Sequence, residues 1–274
     1  MSGSDISEDR LAEARTRLRE DGWAVLPGVL DSDACGDALA RLWAAAGESE
    51  RRGVPTFMPV LDPNASNVRV FYLMELDAVF REPIQHPAAV DLVRSLIGET
   101  FLISNFTANI ARPGSRSMAL HSDQSLVVPA PWLEPWALNI IWCLSDVTFE
   151  NGATLHVPGS HLWQRRTDVP ADADRRLKPF EAKAGSIIAM DGRVWHTSGA
   201  NVTADQDRAL LFGYYTKPFL RQQVNWTAAL SAQTQATLSP PMRTWLGLDV
   251  NANTGETADL RYLEQQFAER KTPA

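Results

Sequence analysis

The sequence predicts a mainly β fold with flanking helices, closed into one barrel rather than built from βαβ units. Two observations carry this. Short β-type runs separated by Gly, Pro and Asn fill the chain from about residue 100 to 226, whereas helical periodicity marks the first hundred residues. One domain over 1–274 is expected, with a helical front over about 1–99, a barrel core over about 100–226 and a C-terminal extension over about 227–274.

In chain order, residues 7–20 repeat Leu11, Ala14 and Leu18 at helical spacing behind Ser7, a candidate N-cap. Asp21-Gly22 stops that helix and residues 23–26 form a short strand. A second helix over 32–46 shows Ala34, Ala38, Leu39, Leu42, Trp43 and Ala46 on one broad face. Periodicity is lost over 47–67, where Pro55, Pro59 and Pro63 punctuate a long loop of the kind that serves as a lid or binding loop. A third helix over 87–97 ends at Gly98. Strands are expected over 100–111, 117–121, 137–144, 153–157, 186–190, 194–196 and 208–216, with a charged surface excursion over 164–183. Leu260, Leu263 and Phe267 mark a last amphipathic helix, and the C-terminal region is a candidate homodimer interface.

Composition narrows the function. Acidic residues outnumber basic ones 33 to 26, which leaves no basic footprint for nucleic acid. The longest apolar run, 136–144, is strand-sized and interrupted by Asn139, so no membrane span is expected. The acidic, polar start resembles no targeting signal, and a cytoplasmic location follows as the expectation. With two cysteines, Cys35 and Cys143, a thiolate-rich metal centre is excluded, and any metal site must use imidazole and carboxylate.

His121-Ser122-Asp123 places an imidazole and a carboxylate on one side of a strand, because residues i and i+2 face the same way. Taken alone the pair also fits a polar strand end. His196, at the end of a second apolar strand, supplies the third donor. Two imidazoles and one carboxylate on one face of an octahedral ion leave the other face open, which is the arrangement of non-haem Fe(II) oxygenases. Arg208 leads into the apolar strand 209–215, where its planar fork can face solvent or aim inward to hold a carboxylate.

These residues stand in a recognisable order. With the turn Asn151-Gly152-Ala153-Thr154 running on to Pro158-Gly159-Ser160-His161, and the run from His196 through Gly199-Ala200-Asn201 to Arg208, the chain resembles the phytanoyl-CoA dioxygenase family over about residues 21–226. The resemblance implies a double-stranded β-helix, the jelly-roll or cupin-like barrel. It also implies Fe(II) held by His121, Asp123 and His196, and 2-oxoglutarate paired through its distal carboxylate with Arg208. Thr154, Ser198 and Trp142 match positions that line the same pocket. The implied chemistry uses O2 and 2-oxoglutarate, releases succinate and CO2, and hydroxylates, desaturates or cyclises a small organic substrate. Because Asp123 is present, halogenation is not implied.

Other residues have plainer readings beside these. His156 faces inward if Thr154 does, as a substrate contact or as a core histidine. His161 and His86 read as structural, and Cys143 as an inert buried thiol. Trp132 and Trp136, with Phe57 and Met58, either wall an apolar pocket or pin their own loops. Arg51-Arg52 and Arg165-Arg166 are the cations available for a CoA ester, but they lie in charged loops. The acidic balance and aromatic loops favour a small to medium, largely apolar substrate such as a natural-product intermediate. A cupin-like metal-dependent hydrolase or isomerase, or a non-catalytic ligand-binding barrel, is the alternative. The first leaves Arg208 in need of another purpose, and the presence of all four site residues argues against the second.

Overall fold

The structure, a computed structural model, describes residues 6–249. In chain order its elements are α1 (Glu8–Glu20), β1 (Trp23–Leu26), α2 (Ser32–Arg51), β2 (Asn67–Val70), α3 (Leu73–Leu76), α4 (Arg81–Ile84), α5 (Pro87–Ile97), β3 (Leu102–Ala111), β4 (Ala137–Cys143), β5 (Leu155–His156), β6 (Lys178–Pro179), β7 (Ile187–Asp191), β8 (His196–Thr197), β9 (Arg208–Thr216), α6 (Trp226–Ala229), α7 (Ala232–Ala236) and α8 (Pro240–Trp245). The helix expected at Leu260, Leu263 and Phe267 lies outside the described residues.

The helices start where local chemistry dictates. Asp31 caps α2 by accepting from the Ala34 amide at 2.8 Å. His86 caps α5 in the same way, its Nδ1 accepting from the Ala88 amide at 3.2 Å, with Pro87 in the first turn. Ser7 occupies the N-cap of α1, but only its carbonyl, not its hydroxyl, serves the first turn. Helix α2 runs a turn further than the sequence pattern suggests, because Ala45, Ala46 and Ser49 extend its buried stripe. Trp43, expected on that stripe, faces outward instead.

Six strands form one antiparallel sheet in the order β1-β7-β4-β9-β3-β2, and β6-β5-β8 form a second of three. The fold is a double-stranded β-helix whose two sheets stay separate, with isolated bridges such as His121–His196, which extends the small sheet beyond β8, and Asn151–Asn201 outside the named strands. Strands β1 and β2 come from the first hundred residues, so the helical front also supplies both edges of the large sheet. Strand alternation then sorts each face. Leu138, Ile140 and Trp142 of β4 and Ala209, Leu211 and Tyr215 of β9 join the helix-side core. Ile141, Cys143, Ile188, Met190 and Leu210 pack between the sheets with Phe180. Helices α6 to α8 add Trp226, Leu230 and Met242 to the helix-side core, with the Trp226 indole donating to the Ile103 carbonyl at 2.7 Å.

Two expectations need correction. No strand forms over 117–121. Only His121 pairs, because side chains take up the hydrogen bonds of Met118: its amide donates to Ser198 Oγ at 2.9 Å and its carbonyl accepts from Thr197 Oγ1 at 2.6 Å. Trp142, matched by resemblance to a pocket position, points to the opposite side of the sheet, where its ring meets His86 edge-on. Neighbours on a strand face opposite ways, so Asn139, Ile141 and Cys143 are the inward residues of β4.

Candidate active site

His121 and His196 share one rung of backbone. The His121 amide donates to the His196 carbonyl at 2.9 Å, and the reverse bond is 2.7 Å. Their rings lie 4.4 Å apart. Each Nδ1 sits on the carbonyl oxygen two residues back, Ala119 at 2.9 Å and Val194 at 3.0 Å. A carbonyl only accepts, so Nδ1 carries the proton and each Nε2 keeps its lone pair for a ligand. Burial pushes the His196 imidazole below its ordinary value, against the opposing pull of Asp123, and the neutral form is the one that binds a metal.

Asp123 starts a 3-10 turn whose flanks are tied to the bend before His196. Ser122 Oγ and the Gln124 amide both donate to the Gly192 carbonyl, at 2.9 and 2.8 Å. The Asn139 side-chain amide donates to Asp123 Oδ2. That leaves Oδ1, 3.9 Å from His121 Nε2, on the imidazole side. One donor atom from each of His121, Asp123 and His196 lies within 4.8 Å of the others, within reach of a single ion.

Arg208 opens β9 and is fully buried, its Nε donating to the Gly152 carbonyl at 3.1 Å. Its Nη1 has no partner. Burial pushes the guanidinium down to about 10, with Arg69 adding to the effect, so it stays charged at neutral pH. A buried, charged donor without a partner is costly unless an anion completes it. The acceptor Gly152 is held by close backbone contact. A Cβ on Gly199 would overlap the Ala153 carbonyl oxygen, and the Gly199 amide donates to that same oxygen at 2.9 Å.

These groups open on one cavity of about 460 Å³, lined also by Thr154, Ser198, Asn139 and Tyr214. Its apolar wall includes Val60, Leu61, Phe71, Met118, Leu126 and Phe212. Burial, reinforced by Asp123, raises the Tyr214 phenol, which therefore remains neutral. Of the residues singled out by sequence, His121, Asp123, His196, Arg208, Thr154 and Ser198 meet here, and Trp142 does not. His156 is buried elsewhere between the sheets, stacked on Phe180 at 4.0 Å and pushed down to about 4 by burial. Trp132 pins its own loop, its indole donating to the Val127 carbonyl at 2.8 Å, and Trp136 packs on Phe219. Arg51 and Arg52 pair with Glu48, while Arg166 reaches the Ser125 carbonyl.

Sequence reasoning passed over Asn139 and the row Asn105, Thr107 and Asn109 of β3, all of which line the cavity. The signal was there: Asn139 interrupts an apolar run, and the β3 residues alternate with Phe106, Ala108 and Ile110. Polar residues alternating with apolar ones along a mostly buried strand mark a wet face.

The sequence pattern of the phytanoyl-CoA dioxygenase (PhyH) family matches residues 18–209. The chain belongs to this family. A relative of high similarity, dioxygenase af480 of Aspergillus fumigatus, is 53% identical over 261 residues, spanning 95% of this chain and 84% of that protein. Among solved structures, the non-haem α-ketoglutarate-dependent carbocyclase SnoK from nogalamycin biosynthesis superposes with a TM-score of 0.65 at 21% identity, over 88% of this chain and 95% of that one. HygX from Streptomyces hygroscopicus, solved with nickel and 2-oxoglutarate bound, gives a TM-score of 0.62 at 17% identity, over 80% and 90%. At those identities the structures speak for the fold. Family membership makes the chain an Fe(II)/2-oxoglutarate-dependent dioxygenase. Among the described residues no helix is long and apolar enough to cross a membrane.

Proposed function

We propose that His121 and His196, through Nε2, and Asp123, through Oδ1, hold Fe(II), and that Arg208 takes the distal carboxylate of 2-oxoglutarate. The observation that carries this is the pairing, in one cavity, of a three-donor face with a buried arginine whose Nη1 lacks a partner. Thr154 and Ser198 line the same cavity and would contact the co-substrate there. Held there, iron with 2-oxoglutarate would supply the O2-dependent oxidation of a C–H bond, with succinate and CO2 as co-products.

The chain's own residues do the positioning. The Ala119 and Val194 carbonyls orient the two imidazoles, Asn139 fixes the Asp123 carboxylate, and Phe212, Met118 and Leu126 keep water from the reacting centre. The substrate is a small to medium, largely apolar molecule, which the apolar wall and the cavity volume suit. A natural-product intermediate is the favoured class, in keeping with the biosynthetic setting named for SnoK. A CoA ester is disfavoured because Arg51, Arg52 and Arg166 are engaged elsewhere, outside the cavity lining.

Anaerobic titration of the protein with Fe(II) and then 2-oxoglutarate tests the assignment. A visible charge-transfer band is expected for the unmodified protein. Its absence, or a full-strength band from Asp123→Ala together with Arg208→Leu, overturns the reading.

A further inference from the structure

Among the described residues, two that line the cavity contain a buried polar atom without a partner, Arg208 with Nη1 and Asn105 with Oδ1. Arg208 is accounted for by the co-substrate. Asn105 is not, and the chain goes to some length to place it. In the β3–β9 ladder Ile103 pairs with Tyr215 and Asn105 with Tyr214, so Ser104 is an extra residue. Such a bulge re-aims side chains. Ile103 and Asn105, which an unbroken strand would put on one face, lie on opposite ones: Ile103 in the helix-side core, Asn105 on the cavity.

The same bulge delivers a second amide. Ser104 accepts from the Gln223 amide at 2.9 Å through Oγ and from the Val224 amide at 3.0 Å through its carbonyl. This straps the segment after β9 onto β3 and brings Gln223 to the cavity wall. There Asn105 Nδ2 donates to Gln223 Oε1 at 2.9 Å. One acceptor, Asn105 Oδ1, and one donor group, Gln223 Nε2, remain. Exchanging oxygen and nitrogen in both amides leaves the same pair of chemistries.

Position and charge say what the pair would meet. Tyr214 stands opposite Asn105 on one side and opposite Asn139, the tether of Asp123, on the other. Asn105 is therefore two strands from Asn139, about 10 Å across the sheet, while Arg208 lies about 20 Å away along β9. A co-substrate running from Arg208 to the metal leaves the Asn105 side free. Formal charges in the loaded cavity balance, because Fe(II) and Arg208 offset Asp123 and the dianionic co-substrate. Arg69 is matched by the buried Asp62, at 2.7 Å. Among the lining residues no charge is left unmatched to pair with a further one on the Asn105 side, where Gln223 reaches solvent.

We propose that Asn105 and Gln223 are the substrate-recognition residues of this cavity and that they take a neutral alcohol. Asn105 Oδ1 accepts the hydroxyl proton and Gln223 Nε2 donates to the hydroxyl oxygen, while the apolar wall covers the carbon skeleton. The inference rests on the iron and 2-oxoglutarate reading above and adds the polar group by which the substrate is held.

The test uses the full-length protein loaded anaerobically with Fe(II) and 2-oxoglutarate. The probes are neutral cyclic and aliphatic alcohols of about ten to fifteen carbons, a size the cavity suits, each matched with its parent hydrocarbon and the corresponding carboxylic acid. Binding is read from the shift of the visible band. At least one alcohol is expected to bind about tenfold or more tightly than both its partners, the loss expected for one or two unmade hydrogen bonds. Asn105→Leu and Gln223→Leu should each bring that ratio close to one, with the band still forming at the same 2-oxoglutarate concentration. If Asn105→Leu fails to fold, Gln223→Leu, on the segment outside the sheets, decides alone. Retention of the ratio in the variants, tighter binding of the acids or hydrocarbons, or binding of no alcohol overturns the proposal. Absence of the band in the unmodified protein overturns the iron reading instead, and the proposal with it.

Discussion

At the floor of the cavity, His121 and His196 are locked to each other through two backbone hydrogen bonds, and both flanks of Asp123 are tied to Gly192. At the rim, Val60 is 91% exposed on a loop, and Leu126 is 71% exposed at the far end of the 3-10 turn that Asp123 starts. The floor holds groups whose lone pairs must converge on one point, and it takes their placement from paired strands and short polar tethers. The rim only has to cover carbon, and a loop with apolar side chains does that without fixed geometry. Reaction type and substrate fit are thus set by separate parts of one cavity, with Asn105 and Gln223 between them.

Variants should separate the two regions by size of effect. Asp123→Ala removes the carboxylate donor, and succinate formation from 2-oxoglutarate should fall by more than about 100-fold, beyond the loss expected for an outer-shell partner. Arg208→Leu should raise the KM for 2-oxoglutarate by about 10- to 100-fold, the value of charge-assisted hydrogen bonds, while Fe(II) affinity measured in the same titration changes far less. Asn139→Ala should weaken Fe(II) binding by about tenfold or somewhat more, because Asp123 loses its orienting donor. An unchanged Fe(II) affinity would show that the rung and the Gly192 ties suffice without it.

Effects on stability should be smaller. Gly199→Ala forces a methyl group against the Ala153 carbonyl and should cost about 1–3 kcal/mol in chemical denaturation. Leu126→Ser at the rim should leave stability within about 0.5 kcal/mol and raise the substrate KM only a few-fold. A rim variant that abolished iron binding would erase the distinction between the two regions.

Much of the floor could be read from the chain because its chemistry is local and typed. His121 and Asp123 are two apart, and His196 follows the apolar pair Val194-Trp195. The element order was equally legible wherever periodicity was long, as in α1, α5, β3 and β9. Misreadings came from tertiary hydrogen bonds and from strand parity. The segment before His121 resembled a strand until Ser198 and Thr197 took its backbone groups, and Trp142 differs from its inward neighbour Ile141 by one residue of register. The β3 bulge at Ser104 has no sequence mark of its own. It is set by the Gln223 and Val224 amides, more than a hundred residues downstream.

The rung between His121 and His196 has a thermodynamic side. An ion bound to both imidazoles joins the same two chain positions again, this time through side chains, so global unfolding has to release it. Folding and metal uptake become linked equilibria, worth about 2.7 kcal/mol when free metal stands at a hundred times its dissociation constant. With iron held by His121 and His196 as proposed, the melting temperature of this protein should gauge its iron loading, legible with neither co-substrate nor substrate in the tube.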